Sequence, residues 1–230
     1  MISSSRKSFV ILFLLFYSQA QGQILFSPRN VVDFIEFLDM RNQITKPEAA
    51  YVGSPFLNEE FINADIYYNH EYVFKDVPMR YDIYGDEMQY QYKTFTFAFK
   101  AKPEINYIVT KSDTFVIDVK NLQVRDSLGF FRLLTSGKLS ILSSLDIYYK
   151  TGQPPGALMD RAVPEKFIRR PDIYYAKIEG SNPVRIKSTK MLIGLINDRK
   201  PELTEFAKRE KISTKASDLA RLAKFYNSLQ

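Results

Sequence analysis

Cysteine and tryptophan are absent from the chain, and histidine occurs once, at His70. Without cysteine there is neither a disulfide framework nor a thiol that could carry a lipid anchor. A single histidine leaves the common metal-ligand clusters and the His-dependent nucleophile triads short of parts. Glycine is scarce, at nine residues, and none of it forms a phosphate-cradling loop. No long helix alternates with the strand signals, so a Rossmann or other parallel α/β fold is disfavoured. A Gly-x-Ser-x-Gly elbow and the spaced acids of a calcium loop are missing too. The chain therefore offers no catalytic residue, no metal ligand and no cofactor that its motifs identify. Carboxylate pairs are the catalytic chemistry left open, because acid–base hydrolases need only two well-placed acids. Asp82, Asp86 and Glu87 gather at one turn, with Glu59 and Glu60 in the loop before it. Acids at a turn ordinarily bond its backbone. His70, between two strand signals, reads as a surface residue, and Arg80 as a local ion-pair or ring-stacking partner.

What is present in quantity is aromatic surface: 18 Phe and 15 Tyr. In a chain without disulfides the core alone must hold the fold, and roughly two hundred residues beyond the first segment suffice for one sizeable domain or two small ones. That first segment, residues 1–23, has Arg6 and Lys7, then an apolar run from Phe9 to Tyr17, then Ser18-Gln19-Ala20-Gln21-Gly22. A basic start, an apolar stretch shorter than the ~20 residues of a membrane span, and small residues at its exit are the pattern of a secretory signal peptide. The expectation is export, with the periplasm as first destination and the cell surface or medium as alternatives. No transmembrane segment is expected after cleavage.

The chain is organised around residues 53–92. Residues 64–69, 72–84 and 87–92 are dense in Ile, Val, Tyr and Phe, which suit a pleated, half-buried surface. Asn69-His70 and Gly85-Asp86 supply the connections. Pro78 has no backbone donor and belongs at a sheet edge or a bulge. Strand signals continue over residues 94–99, 105–109, 114–119, 122–126, 130–135 and 139–149, then 166–169, 172–179 and 184–187, with Ser136-Gly137 among the corners. Before them, Asn30 can cap a short helix in which Val31, Phe34, Ile35 and Leu38 share a face. Residues 151–164, rich in Pro and Gly, form a connection that can act as a flap. The tetrapeptide Asp-Ile-Tyr-Tyr recurs at residues 65–68, 146–149 and 172–175, but at spacings too irregular for a repeat architecture.

From residue 188 the pattern turns helical. Ser188 can cap a helix with Met191, Leu192, Leu195 and Ile196; Pro201 opens a second with Leu203 and Phe206; Ser217 is placed to cap a third with Leu219, Leu222, Ala223 and Tyr226. Residues 185–230 carry eleven Lys and Arg against five Asp and Glu, an excess equal to that of the whole chain, +6. In an exported protein the anionic company of such a tail is lipid head groups, lipopolysaccharide or an acidic protein surface, not nucleic acid.

The segment Gly53-Ser54-Pro55-Phe56-Leu57-Asn58 with Phe61, the run from Val77 to Tyr84 with Glu87-Met88, and the ending Asp218-Leu219 to Phe225-Tyr226-Asn227 resemble a family of uncharacterised exported (periplasmic) proteins of Bacteroidota bacteria. The resemblance covers about a third of the chain and implies a cell-envelope setting without an activity. A looser similarity, of strand pattern alone, is to the open half-barrel lipoprotein carriers of the periplasm. The expected fold is α+β and mostly β, an antiparallel meander or open half-barrel with a short N-terminal helix and C-terminal helices. Residues 24–187 form the β-rich domain, and residues 188–230 a basic helical segment packed on it. The leading functional expectation is a non-catalytic envelope protein binding an envelope partner, a protein or an anionic surface, through those helices. The alternatives are a carrier of an apolar or lipid-like ligand and a carboxylate hydrolase.

Overall fold

The computed structural model describes residues 27–29, 34, 51–120, 127–153 and 162–229. Its centre is one open sheet of twelve strands. In chain order these are β1 (Ser27–Arg29), β2 (Tyr51–Val52), β3 (Ile62–Tyr68), β4 (Tyr72–Asp82), β5 (Glu87–Tyr92), β6 (Phe95–Lys100), β7 (Ile105–Thr110), β8 (Thr114–Val119), β9 (Leu128–Thr135), β10 (Leu139–Lys150), β11 (Glu165–Ile178) and β12 (Val184–Arg185). Three helices follow: α1 (Thr189–Leu195), α2 (Lys200–Arg209) and α3 (Ala216–Ser228). The expected mostly-β fold with C-terminal helices is what forms. The signal segment, the strand expected at 122–126 and most of the N-terminal helix and the 151–164 connection lie outside the described residues.

The spatial order is β12-β11-β10-β9-β8-β7-β3-β4-β5-β6, with β1 parallel to β4 and β2 parallel to β11. Two antiparallel meanders thus meet where β7 returns to the free edge of β3. That return forces the sheet to curl. In a flat sheet β6 and β7 would lie four strand spacings apart, roughly 19 Å. Residues 101–104 are the only link between them, and such a link spans at most roughly 17 Å fully extended. The curl carries on to β9: the rings of Phe99 on β6 and Phe130 on β9, six strands apart in the order, stand 6.1 Å apart. The result is an open half-barrel whose concave face is closed by its own aromatic side chains.

Both long strands that contain proline solve the same problem in the same way. The outer flank of β4 is taken by β1 at Tyr72–Phe74 and by β5 at Met79–Asp82, and Pro78 falls between those two ladders. On β11, β2 pairs at Glu165–Lys166 and β12 at Tyr175–Ala176, and Pro171 falls in the gap. The two runs expected at 166–169 and 172–179 are therefore one strand. A register shift opposite Ser144 and Asp146 absorbs the proline that reads as a break. A second bulge, in β4 opposite Ala64 and Ile66, includes Asp76 at φ 54°.

One face of β10 serves two cores. Leu145 and Ile147 join the half-barrel cluster with Ile66, Phe74, Tyr81, Met88, Tyr90, Phe115 and Phe130. Phe34, in a helical turn, is fully buried against Phe74, Tyr90 and Phe99, so this member of the expected N-terminal stripe is a core residue. Leu139 and Ile141, on the same side of β10, belong to a second cluster with Leu192, Leu203, Leu219, Leu222 and Tyr226 of the helices. Ser143 lies between the two and begins a polar belt. The Asp-Ile-Tyr-Tyr segments do not pair with one another: Ser144 faces Ile173 and Asp146 faces Arg170, as expected of a coincidence of composition.

Candidate anion-binding cleft and helical face

The turn acids are engaged with their own turn. Asp82 accepts from the Gly85 backbone N–H at 2.9 Å and from Gln89 Nε2 at 3.2 Å. Asp86 accepts from the Tyr81 hydroxyl at 2.6 Å and pairs with Lys120 at 2.8 Å, while Glu87 faces Lys100 at 3.4 Å. Burial, ahead of the neighbouring Asp86, pushes the Tyr81 phenol far above its ordinary value. Arg80 stacks, its guanidinium carbon 3.7 Å from the Phe56 ring centroid and 4.5 Å from that of Phe61. Desolvation in that sandwich lowers its pKa. His70 is exposed, in the connection Asn69-His70-Glu71, where Asn69 and His70 both take positive φ. Asn106 holds it twice: Oδ1 accepts from the His70 N–H at 2.7 Å, and Nδ2 lies 2.9 Å from the ring Nε2. A cleft of about 300 Å³ opens beside it, bounded also by Leu142, Asp118 and Lys177, which form an ion pair.

The helical segment is held by its own caps at the start of its helices and by the sheet at its end. Ser188 caps α1, accepting from Met191 N at 3.1 Å. Ser217 does not cap α3. That helix begins at Ala216, and the polar contact of its first turn is made by Asp218, which accepts from the backbone N–H and the hydroxyl of Ser213 at 3.0 and 2.6 Å. At the other end, Asn227 grips the β9–β10 corner: its Oδ1 accepts from Leu139 N at 2.9 Å, and its Nδ2 donates to the carbonyls of Ser136 and Leu139 at 3.1 and 3.0 Å. Tyr226 donates to Asp198 at 2.8 Å, and Lys138 pairs with the same carboxylate at 3.3 Å.

These two carboxylates give the docking a pH dependence. The Tyr226 hydroxyl, and with it Lys138, holds Asp198 below its ordinary 3.8; the Ser213 hydroxyl and N–H do the same for Asp218. A depressed folded-state pKa means stabilisation that is complete above the unfolded value and lost as pH falls through the folded one. Amide hydrogen exchange is expected to show α3 losing protection below pH 3.8 before the β3–β4 pair does. Asp198→Asn removes part of that acid step.

Where the helices meet the β10–β11 hairpin there is a cleft of about 520 Å³ lined by Asp146, Arg170, Tyr174, Arg185, Lys187 and Thr214. It touches the polar belt at Asp172. Asp172 receives Arg132 at 2.9 Å, Arg169 at 2.6 Å and the Ser143 hydroxyl at 3.0 Å, so its charge is more than met. Arg132 also reaches Asp113 at 3.5 Å. Arg170 lies over the Tyr148 ring at 4.5 Å and makes only a long contact, 3.5 Å, to Asp146. Arg185 and Lys187 are exposed and have no ion-pair partner among the described residues. Lys190, Lys200, Lys208, Lys211, Lys215 and Lys224 on the neighbouring helical segment are in the same condition. Guanidinium forks beside free ammonium groups recognise carboxylate, phosphate or sulfate oxygens.

Reading the sequence placed the basic surface in the tail alone and missed Arg169 and Arg170, which the hairpin brings to the tail's edge. The signal was there in two adjacent arginines before a proline inside a strand run. Among the described residues, no cluster of His, Asp and Glu could hold a metal ion, and no helix is long and apolar enough to cross a membrane. Comparison with protein-family models, with curated proteins and with solved structures finds no match to the chain.

Proposed function

We propose that the chain is an exported, non-catalytic cell-envelope protein that binds an anionic envelope partner through the Arg170–Arg185–Lys187 cleft and the adjoining helical face. The observation that carries this reading is the pairing pattern. Cations of the sheet are matched in places, as in Asp172 with Arg132 and Arg169, and the helical arginines pair with Glu202, Glu210 and Asp218, whereas Arg185, Lys187 and the lysines of the helical segment are exposed with no ion-pair partner among the described residues. Unmatched exposed charge of one sign on a docked, well-packed segment raises the local concentration of an oppositely charged partner. The carrier alternative asks for an apolar cavity under the sheet. The space bounded there by Leu57, Met79, Tyr81, Met88, Ile108 and Phe115 is about 10 Å³, scarcely a water's room. That filling supports the partner-binding reading. Co-sedimentation with vesicles tests it: the purified chain should pellet with phosphatidylglycerol vesicles and stay in solution with phosphatidylcholine ones, and equal partition would refute it.

A further inference from the structure

The cleft between the β10–β11 hairpin and the helices includes the gap on the flank of β11 that β2 and β12 leave open, where Pro171 stands. Its donors come from separate elements. Arg170 lies on β11, Arg185 at the end of β12, Lys187 in the link to α1 and Thr214 in the link between α2 and α3. The Tyr148 ring backs the Arg170 guanidinium at 4.5 Å and sets the plane of its fork. The charge of the cleft is unbalanced. Of the acids that line it, Asp172 already takes Arg132, Arg169 and the Ser143 hydroxyl, and Asp146 has only the long contact to Arg170. Three cations thus stand against one carboxylate, which leaves two positive charges unanswered.

We infer that the cleft takes a phosphate monoester, the dianionic end group of a phosphorylated lipid or solute; this rests on the anion-binding reading above and names the anion. At neutral pH such a group carries about −1.5 to −2 charges and three acceptor oxygens. Coulomb attraction grows with the product of the charges, so a dianion gains roughly twice what a monoanion does from the same two positive charges. A sulfate ester or a phosphodiester leaves one of those charges unmet. The donor set points the same way. The Arg170 fork suits two oxygens of one anion, and the Lys187 ammonium suits a point contact with a third, which a carboxylate or a diester does not offer. At about 520 Å³ the cleft falls within the roughly 300–1,000 Å³ of small-molecule sites, which leaves room for the group that bears the phosphate.

Calorimetric titration of the purified chain with phenyl phosphate and with phenyl sulfate at pH 8 is the test, because the two esters share a shape and differ by one charge. Phenyl phosphate should bind at least about tenfold more tightly. Arg185→Gln, on an exposed position, should fold as the native chain does and lose that preference. Vesicles of matched surface charge identify the source. Phosphatidic acid preferred over phosphatidylglycerol assigns the phosphate to a lipid head group, and a preference shown for phenyl phosphate alone assigns it to a soluble ligand; both uphold the inference. No binding of phenyl phosphate at millimolar concentration, equal affinity for the two esters, or a preference that survives Arg185→Gln overturns it. Pelleting with phosphatidylglycerol vesicles separates the two failures: a chain that pellets without preferring the monoester keeps its anion-binding surface and loses this site, whereas a chain that does neither loses both.

Discussion

Replacing Phe130 with alanine is expected to destabilise the fold by roughly 3–5 kcal/mol, the range for emptying an aromatic site in a packed core. Phe130 is 1% exposed, and its ring lies 5.8 Å from Tyr81 and 6.1 Å from Phe99. It is the point where β9 meets strands four and six positions away in the sheet, so its loss removes the contact that holds the curl as well as a buried ring. The vacated volume is bounded by strands joined in one ladder, which cannot collapse around a gap as two loose elements could. Urea unfolding followed by far-UV circular dichroism reads this as a lower midpoint. A loss under about 1 kcal/mol would mean that the curl is held elsewhere.

Gly137→Val comes second, at roughly 3 kcal/mol or more. Gly137 has φ 140°, a region that L side chains enter only at about 1–3 kcal/mol. A Cβ there would also fall inside the Asn227 amide. The three hydrogen bonds from Asn227 to the corner would break, each of a class worth about 0.5–1.5 kcal/mol net. Gly180→Ala is the matched control. Gly180 also has positive φ, at 74°, but nothing stands within 4 Å of its would-be Cβ, so only the backbone preference, about 1–2 kcal/mol, is lost. Thermal unfolding of the pair should separate the clamp from the conformational term, and equal shifts would show that Asn227 contributes nothing.

The strands were legible because the chain's β-branched and aromatic residues fall in short runs between turn formers. Residues 87–92 and 114–119 are strands to the residue. Ser188 was legible as a cap because a side-chain oxygen in front of an apolar stripe has one local use. Ser217 misled because its rule is equally local, whereas the first turn of α3 is satisfied by Asp218 reaching back to Ser213. Pro171 misled in the same way: a proline is a break only if its flank has a partner, and the lengths of β2 and β12, which leave it none, are set by tertiary contacts. The return of β7 to β3, and with it the curl, depends on pairing between residues more than thirty positions apart, which no window of local pattern contains. The cleft was partly legible. Its tail side was visible as charge, but Arg170 reaches it only through the register of the β10–β11 hairpin.

The most direct test of an anion-binding surface is to neutralise the cleft and keep everything else. A chain carrying Arg170→Gln, Arg185→Gln and Lys187→Gln, all on exposed positions, should fold as the native chain does and lose at least about tenfold in affinity for phosphatidylglycerol vesicles, or 1.4 kcal/mol. The residual binding should weaken further with added salt. Native-like affinity in the triple variant would contradict the account.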